Sequence, residues 1–400
     1  MTFDFDVAII GGGPVGSSLG YKLQKQGLSV AIFEKKKNIG FPLQCAGILS
    51  KSIFDVNDLP HDLILNQVKG AYLHSPNQTM KVKKDAPEAY IIDRVGYDHF
   101  LLDRARNSGV KVFMQQKVIE LDIDNGFIIS NKGQYSAKVI VGADGANSIV
   151  SSILGNDYKY FTAAQFLVNL SNEDKEKLDG DYVDIFINGN ITPGFIWSIP
   201  LDQNLFRIGL FSKKEYRDEL DILNDFLKGS GDFKNNNLNL NDYEIIEKYQ
   251  GMIPIYNKNK ILQKGRVILI GDAAGQVKPT TGGGLLCAFN CINMASDVIY
   301  NSINNDNIDL LENYSKECRN LYFDEFSNEI KVHKTLGILS DKGFDYLFKK
   351  VKDNDGERII SEYGHMDNQS VLIKKFIKEG LLYKITQKFI KSKISKIWKN

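Results

Sequence analysis

The stretch Asp6-Val7-Ala8-Ile9-Ile10-Gly11-Gly12-Gly13-Pro14-Val15-Gly16 decides how this chain begins to fold. Val7 to Ile10 read as a short buried strand, and the glycines that follow read as a tight turn into a helix. Leu19 and Leu23 carry the apolar period of that helix, which stops near Gly27. A second strand, Leu28 to Phe33, ends on Glu34. Strand, glycine turn, helix, strand and terminal acid stand at the spacing a dinucleotide site requires. In that pattern Gly11 makes the tight turn, Gly13 lets a pyrophosphate approach the backbone, and Gly16 packs helix on strand. The helix start offers unpaired N–H groups and a positive dipole end to phosphates. Glu34 stands where a ribose diol would donate to a carboxylate.

Bulk properties narrow the class. The 400 residues are enough for two or three domains, and 43% hydrophobic with 25% charged residues is ordinary for a soluble globular enzyme. A net charge of +1 makes no electrostatic case for nucleic acid. Cys45, Cys287, Cys291 and Cys318 lack metal-ligand or redox-pair spacing, which suits a reducing cytoplasm without structural disulfides. No secretory leader is read, because the first strand starts almost at Met1. No apolar run approaches eighteen residues, so no membrane span is expected. His61, His74, His99, His333 and His365 are scattered, with no zinc or Ser-His-Asp pattern, and no metal site is expected.

Two more glycine-acid turns follow apolar strands. Val139-Ile140-Val141 runs into Gly142-Ala143-Asp144-Gly145, and Val267-Ile268-Leu269-Ile270 runs into Gly271-Asp272-Ala273-Ala274-Gly275. Pro279, Gly282-Gly283-Gly284-Leu285 and an apolar helix come next. Between them, residues 159–254 carry long β-like strands, and alternation places Phe195, Trp197 and Ile199 on one face. The loop Gln44-Cys45-Ala46-Gly47 leaves the nucleotide half in the direction of whatever the cofactor reacts with. Cys45 reads equally as a small buried thiol or as a residue lining the redox face.

Together the three turns resemble the FAD-dependent enzymes of the para-hydroxybenzoate hydroxylase fold. The resemblance implies an α/β (α+β overall) architecture: a Rossmann-like FAD-binding domain, an antiparallel β substrate domain and a C-terminal helical segment. The expected boundaries are 1–67, 93–158 and 255–335 for the first, 68–92 and 159–254 for the second, and 336–400 for the third. FAD is the implied cofactor. Asp272 would hold a ribityl hydroxyl or the pyrophosphate region, and Gly284 and Leu285 would offer N–H groups to the flavin ring. Arg94 would lie near the phosphates and Val118 would lend its backbone to the adenine. The likeness also puts Pro14, Val15, Lys35, Cys45, Ala46, Ile48, Asp144, Gly271, Pro279 and Gly283 at the cofactor.

Within that fold the chain is similar to the geranylgeranyl reductase family, including archaeal digeranylgeranylglycerophospholipid reductases. The similarity is carried by Gln44-Cys45-Ala46-Gly47, by the GDAAG turn with Pro279 and three glycines, and by Phe195-x-Trp197-x-Ile199-Pro200 with Gly209 beyond it. Phe195 replaces the family's tyrosine, Ile199 its phenylalanine, and Phe211 its second glycine, which leaves the exact substrate open. The implied reaction saturates isoprenoid C=C bonds of a prenylated membrane lipid, with hydride from the reduced flavin and a proton added to the alkene. Phe195 or Trp197 would face the developing cation, and Cys45 is a proton-donor candidate by position. The electron donor is open between ferredoxin, another protein reductant and NAD(P)H. Rival readings are a flavin monooxygenase or halogenase of the same fold, and a non-catalytic flavin-containing lipid carrier. From Lys374 to Asn400 there are nine lysines and one glutamate, with apolar residues at helical spacing such as Leu382, Ile385 and Phe389. That pattern fits either a helix packed on the core or one lying on an anionic membrane surface. The expected place is the cytoplasm, with peripheral contact at the cytoplasmic face of the membrane.

Overall fold

The structure, a computed structural model, describes residues 2–379 apart from 158, 234–237 and 239. Its organising sheet places Val267–Leu269, Gly133–Gly142, Phe5–Ile10, Val30–Phe33 and Lys111–Phe113 side by side, every neighbour parallel. Val7, Ile9, Val139, Val141, Val267 and Ile268 are fully buried. A sheet covered on both faces needs such unbroken apolar strands. The helix Pro14–Lys25 packs against both Arg94–Asn107 and Leu285–Asn304 over it. Parallel register then does something the sequence order hides. Ile10 pairs with Gly142 and Phe33, and Gly142 pairs with Leu269, so the strands release their turns along one sheet edge. Glycine turns more than a hundred residues apart thereby become neighbours.

A second, seven-stranded sheet has the order Tyr243–Pro254, Tyr160–Leu170, Leu205–Ser212, Phe195–Pro200, Tyr182–Phe186, Gly70–His74, Thr79–Lys83. It departs from the antiparallel expectation at one seam: Tyr182–Phe186 runs parallel to Gly70–His74. Directly connected neighbours pair antiparallel through short turns, whereas these two are joined by a long crossover through the first sheet. Ala89–Ile92, read with the same β region, instead pairs with Ile48–Ser50 and Ile64–Val68 in a small third sheet. One face of the large sheet packs under the helix Tyr216–Leu227, with Phe166, Val168, Ile208 and Leu210 in the seam. Phe195, Trp197 and Ile199 share the other face, with Phe161 and Phe211.

Beyond residue 336 the helices Asp341–Lys352, Gly356–Tyr363 and Ser370–Lys378 close the described chain. Phe348, Val351 and Ile359 pack with Met80 at the sheet's outer strand. Most of the basic stretch 374–400 lies outside the described residues. Among the described residues no helix is long and apolar enough to cross a membrane.

Candidate active site

A cavity of ≈ 690 Å³ opens where the three turns meet. Its floor is the first glycine turn. Gly11 holds φ +106°, and a β-carbon there would sit 2.3 Å from the Ala143 carbonyl oxygen. The first glycine is therefore fixed by the close approach of the middle turn. A β-carbon on Gly16 would meet the Gly11 carbonyl oxygen at 2.0 Å, so the helix can only dock on the turn without one. Gly13 is the reverse case, since a β-carbon there would meet nothing within 4 Å. Its open side belongs to the cavity, beside the first turn of Pro14–Lys25. Glu34 is 6% exposed and works twice: Oε2 accepts from Gly12 N (2.8 Å) and Oε1 from Lys36 N (2.7 Å). It locks the glycine turn to the end of the second strand while still lining the cavity.

The charged groups around the cavity are unevenly satisfied. Asp144 accepts from the Ser148 hydroxyl and from Val150 N, yet burial still raises its pKa. The Asp272 carboxylate makes no hydrogen bond to a described residue, and burial raises its pKa against the pull of Arg94 and Lys260. Asp272 is half-buried at the cavity wall, so its free carboxylate oxygens offer acceptors to a ligand hydroxyl there. Arg94 pairs with Asp98 at 3.0 Å. Burial opposes its charge, but the Asp98 carboxylate and the Cys45 thiol outweigh that and hold the guanidinium above its ordinary range. The helix Leu285–Asn304 starts at the opposite wall with Gly284 as its cap residue and no acidic side chain in its first turn. Its leading N–H groups are thus available to negative charge.

The cavity brings together Gly11, Gly13, Pro14, Val15, Glu34, Lys35, Cys45, Arg94, Val118, Asp144, Gly271, Asp272, Gly284 and Leu285. The remaining expected residues stand behind it. Gly16 is used in helix packing, and Ile48 pairs with Ile91 in the small sheet. Ala46 turns away with its carbonyl accepting from Arg207. Pro279 and Gly283 belong to the back of the loop that carries Gly284, where Lys278 N donates to the Gly283 carbonyl (3.0 Å). Trp197 is 9% exposed, and its Nε1–H donates to Gln165 Oε1 at 3.0 Å. A β-carbon on Gly209 would lie 2.5 Å from its ring, which explains the glycine in that motif. Phe195 packs edge-on against Phe211 (4.9 Å between centroids) and Trp197 (6.2 Å). Neither aromatic lines the cavity, because alternate residues of a strand hold their side chains in the layer between sheets rather than at its rim.

Sequence reasoning missed Asp98, Gln116, Asn147 and the segment Met252–Pro254, all of which line the cavity. Asp98 had a signal, standing one helical turn after Arg94. Met252–Pro254 had none, since only the register of the long edge strand brings it there.

An open glycine face, two helix starts and an unsatisfied acid fit a dinucleotide whose pyrophosphate, ribityl chain and ring would lie along this cavity. The fold and site define a flavoprotein. Residues 4–323 match the FAD binding domain family, and the chain belongs to that family, with FAD as its cofactor. Among curated proteins it is 33% identical to an uncharacterised protein of Methanocaldococcus jannaschii, over 96% of this chain and 98% of that one. It is 29% identical to digeranylgeranylglycerophospholipid reductase 1 of Methanococcoides burtonii, over 90% of each. Among solved structures it resembles a geranylgeranyl bacteriochlorophyll reductase-like protein of Thermoplasma acidophilum, with TM-score 0.80 and 23% identity over 96% of this chain and 98% of that one.

Proposed function

We propose that this flavoprotein is a reductase that saturates C=C bonds in prenyl chains, with the geranylgeranyl chains of an archaeal-type ether phospholipid as substrate. The observation that carries the reading is an apolar layer set directly behind the Cys45 loop. Val68, Ala89, Ile91, Phe161, Trp197, Ile199 and Phe211 are buried there, and Ala46, Ile48, Phe195 and Ile253 border it half-buried. Ile253 also lines the cofactor cavity, so the layer meets the cavity there, and Cys45, next in the chain to Ala46, lines the cavity as well. The half-buried side chains at its border, Ala46, Ile48, Phe195 and Ile253, are the apolar surface left to a long hydrocarbon, which needs no polar partners there. The named relative that is a digeranylgeranylglycerophospholipid reductase supports the same class of substrate.

When bound, the reduced flavin supplies hydride at N5. The chain's own contribution is placement and charge. The N–H groups at Gly284 and Leu285, at a helix start with no acid in its own first turn, would stabilise negative charge on the flavin ring. Gly11, Gly13 and the start of Pro14–Lys25 would hold the phosphates, Glu34 the adenosine ribose, Asp272 a hydroxyl of the ribityl chain, and Val118 the adenine. Lys35 and Arg94 would balance phosphate charge. Phe195, half-buried at the border of the layer, is better placed than Trp197 to offer a ring face to positive charge on a tertiary carbon, a contact worth about 0.5–2 kcal/mol. Cys45 holds a proton where layer and cavity meet.

The decisive experiment is anaerobic. Protein with photoreduced FAD is mixed with a geranylgeranyl ether lipid; flavin reoxidation together with a mass gain of two hydrogens per saturated bond is expected. A flavin that reoxidises only when oxygen is admitted would point to the monooxygenase reading and remove this one.

A further inference from the structure

The loop that carries Cys45 has its backbone carbonyls tied to the large sheet by two buried side chains. Gln165 Nε2 donates to the Cys45 carbonyl at 3.5 Å, and Gln165 is itself aimed by the Trp197 Nε1–H, which donates to its Oε1. Arg207 Nη1 donates to the Ala46 carbonyl at 2.9 Å and to the Ile92 carbonyl at 3.3 Å, so a single nitrogen clamps the loop to the small sheet. Gly47 completes the arrangement: at φ +72°, its missing β-carbon would lie 2.1 Å from that same Nη1.

Arg207 is an unusual residue for this task. It is 5% exposed, forms no ion pair with a described residue, and its Nε has no hydrogen-bond partner among the described residues. Burial pulls its pKa below the ordinary arginine value. A buried charge without a counter-ion is disfavoured, and a sheet packed with aliphatic side chains would be the more stable solution at that position. The same face of that strand offers one, since Leu205 and Phe211 on it are apolar. Among the described residues, the groups Arg207 serves are the two carbonyls that fix the loop.

We infer that Arg207 and Gln165 are positioning residues of the active site, acting through the backbone of residues 45–47 to hold the Cys45 side chain at the cavity wall. Trp197 belongs to the same device as the residue that orients Gln165. The inference rests on FAD filling the cavity and is independent of which substrate the enzyme reduces.

The test is site-resolved alkylation of the FAD-loaded protein with iodoacetamide, read by peptide mass spectrometry. Cys45 is half-buried whereas Cys287, Cys291 and Cys318 are buried, so those three report global opening inside the same sample. In the wild type, flavin and loop shield Cys45. In Arg207→Met and Gln165→Leu its alkylation is expected to rise by about tenfold, as for loss of one hydrogen bond to a charged or buried polar group. The three buried thiols should stay at their wild-type rates. Arg207→Lys, which retains donors, restores shielding in part, and Trp197→Phe, which removes only the indole N–H and trims the ring, gives an intermediate rate. If Arg207→Met does not fold, Gln165→Leu and Trp197→Phe carry the test. An unchanged Cys45 rate in flavin-loaded variants overturns the proposal, and so does a rise that merely keeps step with the buried thiols.

Discussion

Gly11 shows how narrowly a single residue is specified here. Its φ of +106° and the 2.3 Å that would separate a β-carbon from Ala143 O come from the same cause, the contact of two turns. Gly11→Ala should therefore cost about 2 kcal/mol or more in urea unfolding and release FAD on gel filtration. A variant that keeps both its stability and its flavin would show that the turns do not need this contact. Gly11 and Gly16 were legible for a physical reason: φ above zero at the first, and close backbone approach at both, leave glycine as the one choice. Glu34 was legible as an acid at a strand end, but its two bonds to Gly12 N and Lys36 N were not. Cys45 could be read only as one of two alternatives. With Cys45 holding the proton, Cys45→Ala should keep bound FAD and lose about a hundredfold in turnover. Undiminished turnover with full flavin would take the thiol out of the mechanism.

At the scale of elements, helix Glu312–Leu336 reaches the cofactor loop through one buried acid. Glu329 is 0% exposed, and its Oε2 accepts from the Thr280 hydroxyl (2.9 Å) and from Thr280 N (3.2 Å), two residues before Gly282. Burial pushes its pKa up to about 7, opposed by Thr280 and Lys278. A carboxyl whose folded pKa is raised favours folding fully below its unfolded pKa, near 4.5, and that advantage fades as pH rises toward 7. Glu329 should thus lower wild-type stability across this window by up to about 3 kcal/mol, and Glu329→Gln should remove that share while leaving the share of Glu219, whose pKa burial also raises to about 7. Thermal melts from pH 5 to pH 8 check it; parallel curves for the two proteins would refute the buried neutral acid. The element pattern itself was readable, since strand, turn and helix each carry a local period. Contacts between elements were not. Cys291 and Cys318 lie 27 positions apart on different helices, yet their sulfurs approach to 3.3 Å. Nothing in their sequence spacing announces it.

For the whole molecule, the C-terminal region is tied to the site by a short segment before its last described helix. Lys278 Nζ donates to the Met366 carbonyl (2.7 Å) and pairs with Asp367 (3.2 Å), while Asp367 also accepts from the Ser50 hydroxyl. Ile373 and Ser370 in helix Ser370–Lys378 are buried against the body of the protein. The opposite face of that helix leaves Val371, Lys374 and Lys378 exposed. Six of the nine lysines between 374 and 400 come after residue 379, each worth about 1 kcal/mol near an anionic surface. Truncation after Glu379 should leave the fold and flavin intact and abolish flotation with anionic liposomes. Equal flotation of the truncated and full-length proteins would assign the lysines to an ordinary solvated face.

The sequence by itself determined the nucleotide-binding strands and the three turns, because backbone conformation at glycine and period in apolar residues are local properties; FAD as the ligand followed from the family likeness that those turns carry. It also placed Phe195, Trp197 and Ile199 on one face, since alternation along a strand is local too. Only the tertiary structure decided which of these residues meet. Parallel register gathered turns from residues 11, 142 and 271 on one edge, while the antiparallel pairing of the second sheet brought in Met252–Pro254 and held Trp197 behind the cavity wall. That pairing gave the indole N–H to Gln165 and turned Arg207, silent in the sequence, toward the loop of Cys45. Long-range hydrogen bonds and close packing depend on how whole sheets dock, and no short stretch of chain encodes them alone.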